Sequence, residues 1–107
     1  MSNNDAVMQF RMVEEELANL FEEKNRRYGN SFAEQFKKRG LVMSAIRLED
    51  KFRRFDELVS NPCDDGGDES IEDTLKDLAN YAIMTIMAIR EQRGEGNAST
   101  KAKLPTP

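Results

Sequence analysis

The segment ESIEDTLKDLANYAIMTIMAI, Glu69 to Ile89, decides the fold. Its apolar residues recur at helical spacing, so it reads as one helix. Residues three or four apart stack on one side of a helix, which places Asp73, Asp77 and Asn80 on a shared face. From Tyr81 to Ile89 the helix is apolar almost all the way round. Carboxylates are thus carried toward the most water-protected part of the protein, where they are costly unless a metal, a cation or a ligand meets them.

Working outward, two further long helices flank this one. The first spans about Asp5 to Arg27, with Phe10, Val13, Leu17, Leu20 and Phe21 as its inward stripe, extended by Tyr28. Gly29-Asn30 breaks it. The second spans about Leu41 to Val59, with Ala45, Leu48, Phe52, Phe55 and Val59 expected to face inward, and Asn61-Pro62 closes it. Between them Ser31 to Gly40 has Phe32 and Phe36 spaced for a short helix. The Asp64–Asp68 stretch reads as a polar loop. No strand-like alternation and no internal repeat occurs. The expectation is an all-α fold: a small helical bundle of three long helices plus one short helix, forming a single domain over residues 1–93. The tail GEGNASTKAKLPTP, residues 94–107, has almost no apolar content and is expected to be disordered. The all-round apolar end of the Glu69–Ile89 helix exceeds what one small bundle needs, so a homo-oligomer is expected.

Composition narrows the function classes. The 107 residues carry a formal charge of −4, with acids and bases interleaved, unlike the basic field of a general nucleic-acid binder. No apolar run approaches the roughly 18 residues of a membrane span, and Met1 to Phe10 lacks the pattern of a signal peptide, so a cytoplasmic protein without membrane contact is expected. Cys63 is the single cysteine and excludes an internal disulfide. Histidine is absent, which removes the commonest zinc ligand and the usual imidazole base. Any metal would be a hard ion on carboxylates, magnesium or manganese, with Mg2+ the cofactor expectation.

Two stripes carry the candidate chemistry. Arg47, Lys51 and Arg54 follow one another at spacings of four and three, a row able to hold phosphate through charge-assisted bonds. Asp73 and Asp77, one turn apart, suit either one Mg2+ ion or ion pairs with that basic row. Glu69, Glu72, Glu49, Glu22 and Glu23 are candidate further ligands. Asn80 and Tyr81 would line the same pocket. On the first helix Lys24 falls on the apolar stripe, where it binds phosphate or only lays its stem over the core. Tyr28 either stacks a base or fills the core, and Ser31 either caps the short helix or contacts phosphate. No nucleophile–base pair and no glycine-rich phosphate loop is present.

Three blocks resemble one family: KNRRYGNSF (Lys24–Phe32), RLEDKFRRFDEL (Arg47–Leu58) and DESIEDTLKDLANYAIM (Asp68–Met84). They are similar to the first nucleotide-modification-associated domain family, a phage and bacterial group, over about Lys24 to Ile89. That resemblance implies a helical protein of nucleotide metabolism. The chain is more loosely similar to the MazG-like all-α nucleoside triphosphate pyrophosphohydrolases, which hold magnesium on two pairs of acids. Asp73 and Asp77 match one pair, although Thr74 stands where those enzymes carry a glutamate, and the second pair has no clean counterpart. The functional expectation is a phage-type protein binding a phosphorylated nucleotide, with Mg2+-dependent hydrolysis as one outcome. The alternatives are a non-catalytic sponge for a nucleotide immune signal, serving anti-defence, and a helical interaction module without a small-molecule ligand.

Overall fold

A computed structural model describes residues 1–61 and 67–94, the side chains of residues 67–69 excepted. Among the described residues there are four helices and no strand: α1 (Asn3–Tyr28), α2 (Ser31–Arg39), α3 (Leu41–Ser60) and α4 (Gly67–Gln92). The all-α expectation and its element order hold, with the boundaries displaced by at most three residues. The loop expected around Asp64 lies largely outside the described residues, as do Cys63 and the tail from residue 95. The chain divides into two compact units, Met1–Ser31 and Phe32–Pro107.

The first unit is α1 and its exit turn. The Ser2 side chain accepts a hydrogen bond from the Asp5 N–H at 3.1 Å, satisfying one of the donors a helix start leaves open. At the other end the Gly29 N–H donates to the Asn25 carbonyl at 2.7 Å, with φ 68° and ψ −154°. That backbone region is essentially reserved for glycine, which is why the break falls there. The apolar stripe is where the spacing places it, yet no residue of α1 is buried, and Phe10 is 67% exposed. The inward role expected for Phe10, Val13 and Tyr28 is therefore corrected. A helix that makes up a unit alone has no second element in that unit to cover its stripe.

The second unit is built on the pair α3–α4. Ser44 meets Thr85 at 2.9 Å and Lys51 meets Asp77 at 3.1 Å, so numbers rise along one helix as they fall along the other: the pair is antiparallel. Leu58 and Met43 on α3 are buried, as are Ser44, Thr74 and Asn80. Helix α2 joins this pair through a single-residue corner, Gly40, at φ 73° and ψ −157°. Its Phe36 is buried, and its Phe32 ring stacks on Tyr81 of α4 with centroids 5.9 Å apart and planes at 24°. The two aromatics sit one turn apart, so a nine-residue helix can anchor itself with one face.

A second correction falls on α3. Phe52 and Val59, expected inward, are 57% and 52% exposed, and Ala45 is exposed too. Leu48 and Phe55 are half-buried. The buried side of α3 is instead the arc through Met43, Ser44 and Leu58, because α2 and α4 approach from that side.

Candidate functional site

At 100° per residue, Arg47, Lys51 and Arg54 fall within about 60° of arc on α3. Asp73, Asp77 and Asn80 fall within a similar arc of about 60° on α4. Lys51 Nζ reaches Asp77 Oδ2 at 3.1 Å, so the two stripes lie side by side on one face of the α3–α4 hairpin. Helix α2 sits on the same side, since Gln35 Oε1 accepts from Arg47 Nη2 at 2.9 Å. Both charged partners are half-buried, with the Lys51 and Asp77 side chains 33% and 21% exposed. Partial burial strengthens such a pair above the fraction of a kilocalorie typical of a fully solvated one.

Lys51 and Arg47 are therefore held by an oxygen acceptor each, with donors to spare: an ammonium carries three and a guanidinium five. Arg54 continues the row and is exposed, as is Asp73. Asn80 is 9% exposed, so its amide is almost fully withdrawn from water. Tyr81 closes one side: its ring packs on Phe32, and its main-chain carbonyl accepts from Thr85 Oγ1 at 2.7 Å. With that proton committed, the Ser44 hydroxyl donates to Thr85 Oγ1 across 2.9 Å, tying α3 to α4 beside the charged pair. Among the described residues no buried side-chain oxygen or nitrogen lacks a hydrogen-bond partner.

Three further candidates, Lys24, Tyr28 and Ser31, belong to the first unit. They occupy the last turns of α1 and the residue after its exit turn, all three exposed. Ser31 is the first residue of α2. Nearby, Arg26 and Arg27 both pair with Glu23.

Among the described residues, four of the candidate acids meet cations. Asp77 is engaged by Lys51, Glu72 pairs with Lys76 at 3.2 Å, Glu49 with Arg53 at 3.3 Å, and Glu23 with its two arginines. No group of three His, Cys, Asp or Glu side chains among the described residues is arranged to hold an ion. The side chain of Glu69 lies outside the described set. Of the two fates open to the Asp73–Asp77 pair, the one visible for Asp77 is the ion pair.

Three partners escaped the sequence: Gln35 on Arg47, Phe32 under Tyr81, and the Ser44–Thr85 bond. Only Phe32 left a signal, its one-turn spacing from Phe36. The other contacts join elements whose register is set by packing.

The fold and this face define an all-α protein with a charged, partly buried hairpin face. The sequence model of nucleotide modification associated domain 1 matches residues 24–89, more than half of the chain, and the protein belongs to that family. The matched span runs from the end of α1 through most of α4 and includes every residue of the charged face. Neither a curated protein nor a solved structure matches the chain. No helix among the described residues is long and apolar enough to cross a membrane.

Proposed function

We propose that the α2–α3–α4 unit binds a phosphorylated nucleotide on its charged face. Arg47 and Lys51 supply the phosphate contacts, Arg54 extends the row outward, and Asn80 and the Tyr81 edge flank the ligand. The observation that carries this reading is the pair of anchored cations. Gln35 and Asp77 each fix one cation in position while leaving donors open, which lowers the ordering cost of gripping an anion. Membership of a nucleotide-associated family supports a nucleotide as the source of that anion. Asp77 is a positioning group: it orients Lys51 and also repels anions that do not offset its charge.

Binding without cleavage is the version favoured by the acids. Metal-dependent phosphoanhydride hydrolysis needs carboxylates grouped around ions that bridge the phosphates. Glu72 and Glu49 are instead paired along their own helices. A protein acting in this way would sequester a nucleotide signal.

Calorimetric titration with nucleoside mono-, di- and triphosphates, with and without magnesium, tests the proposal. Saturable binding that weakens at least about tenfold in Lys51→Met is expected, the equivalent of losing one charge-assisted bond. Absence of binding by every nucleotide class would sink it. Denaturing the complex and identifying the released compound then separates the versions, since intact nucleotide sustains sequestration and pyrophosphate or a shortened nucleotide transfers the site to hydrolysis.

A further inference from the structure

The two anchored cations of the charged face are held apart. Arg47 and Lys51 stand four residues from each other on α3, about 6 Å along its axis. Gln35 of α2 accepts from Arg47 Nη2 at 2.9 Å, while Asp77 of α4 holds Lys51 Nζ at 3.1 Å. The two head groups are thus drawn to different helices. For both to close on one phosphate, or on two phosphates that share a bridging oxygen, one of them must leave its anchor. The Lys51–Asp77 and Ser44–Thr85 contacts also fix what stands opposite each cation. One turn from Lys51 toward Ser44 lies Arg47, and one turn from Asp77 toward Thr85 lies Tyr81. Those two therefore share a level of the antiparallel pair. The stacked rings of Phe32 and Tyr81 stand at the Arg47 end of the row, and both are half-buried, so each keeps some surface.

Resting on the nucleotide-binding reading above, we infer that this face selects ligands whose two phosphates are carried on opposite sides of one ribose. The chemical class is a nucleoside 3′,5′-bisphosphate unit, either free or within a phosphodiester-linked dinucleotide. Three features favour it over a nucleoside di- or triphosphate. The first is separation. Phosphorus atoms joined through one oxygen lie closer together than a helical turn of about 5.4 Å, whereas the 3′ and 5′ oxygens of a ribose hold theirs roughly a turn apart, as the anchors are. The second is charge. Asp77 sits against Lys51, so a chain of phosphates crowded at that point meets a carboxylate, while one phosphate per cation spreads the anionic charge along the row. The third is the neighbouring aromatic pair. A ribose between two phosphates also carries a base, and the Phe32–Tyr81 stack is the apolar surface beside it. Base–aromatic contact tolerates any base, because every base has a π-face. The face thus reads phosphate spacing ahead of base identity.

Adenosine 3′,5′-bisphosphate and ADP share base, sugar and number of phosphates, and differ in where the second phosphate is attached. Calorimetric titration of the full chain with both, and with AMP, ATP and 5′-phosphorylated diadenylate, is run without and with magnesium. The bisphosphate, the dinucleotide or both are expected to bind at least about tenfold tighter than ADP, the equivalent of one more charge-assisted bond. Whichever of the two binds tighter names the source of the bisphosphate unit. Arg47→Met and Lys51→Met should each weaken that ligand about tenfold, and only one of them should weaken AMP. ADP or ATP binding as tightly as both the bisphosphate and the dinucleotide overturns this inference and leaves the nucleotide-binding reading standing. Failure of all five compounds to bind overturns both. A preferred ligand that is insensitive to one of the two substitutions also overturns the inference, since its second phosphate then has no cation of its own. Should either variant lose helical circular dichroism, the wild-type comparison of bisphosphate with ADP decides, because it needs no substitution.

Discussion

The two faces of the α3–α4 hairpin are made from the same helices and differ in what completes them. The charged face has partners within the chain: α2 lies against it, Gln35 takes one bond of Arg47, and Asp77 holds Lys51. The apolar face carries Phe52 and Val59, both more than half exposed. One face is held by directional polar contacts, the other carries apolar side chains at regular spacing. The lesson is that helical periodicity marks which residues share a side without saying what will cover it.

The largest effect expected is on the buried side of α3. Leu58 is 3% exposed and Val59, the next residue, 52%. Leu58→Ala is expected to cost about 2–5 kcal/mol in urea unfolding. Val59→Ala should stay within about 0.5 kcal/mol in the same assay. Equal losses at both positions would erase the distinction between buried and exposed sides of α3.

Next comes the corner that puts α2 on the charged side. A Cβ at Gly40 meets nothing within 4 Å, so the cost of Gly40→Ala is backbone strain alone. Thermal or urea unfolding should register about 1–3 kcal/mol, as expected for a residue forced into that region. No loss would mean that the corner opens freely and α2 is not fixed.

Smaller still is the bond that ties α3 to α4. Ser44→Ala removes one partner of Thr85 Oγ1, which keeps its bond to the Tyr81 carbonyl. A loss of about 1 kcal/mol in the same unfolding assay is expected. The smallest stability effect is at the charged pair itself. Lys51→Met should shift unfolding by no more than about 1 kcal/mol, because both side chains retain solvent contact. Its effect belongs to nucleotide binding, and a strong destabilisation with unaltered affinity would recast the face as structural.

Much of this was legible. Gly29 and Gly40 break the helices at the expected places, because their φ values are open to glycine and closed to other residues. The shared faces of Arg47, Lys51 and Arg54 and of Asp73, Asp77 and Asn80 follow from helix geometry alone. The inward assignment of Phe52 and Val59 failed because spacing identifies a stripe and cannot tell which side of it another element will cover. The choice between metal and cation for Asp77 was undecided for a related reason. Both partners satisfy the same carboxylate, and the nearer one depends on the register of α3 against α4.

The sequence by itself determined four helices, their breaks, and which residues stand together on each, since these rest on local spacing and backbone freedom. The tertiary structure decided which rows meet. Antiparallel pairing brought Lys51 to Asp77, and the Gly40 corner brought Gln35 to Arg47. Those outcomes depend on side chains more than ten positions apart reaching contact, which no local pattern encodes.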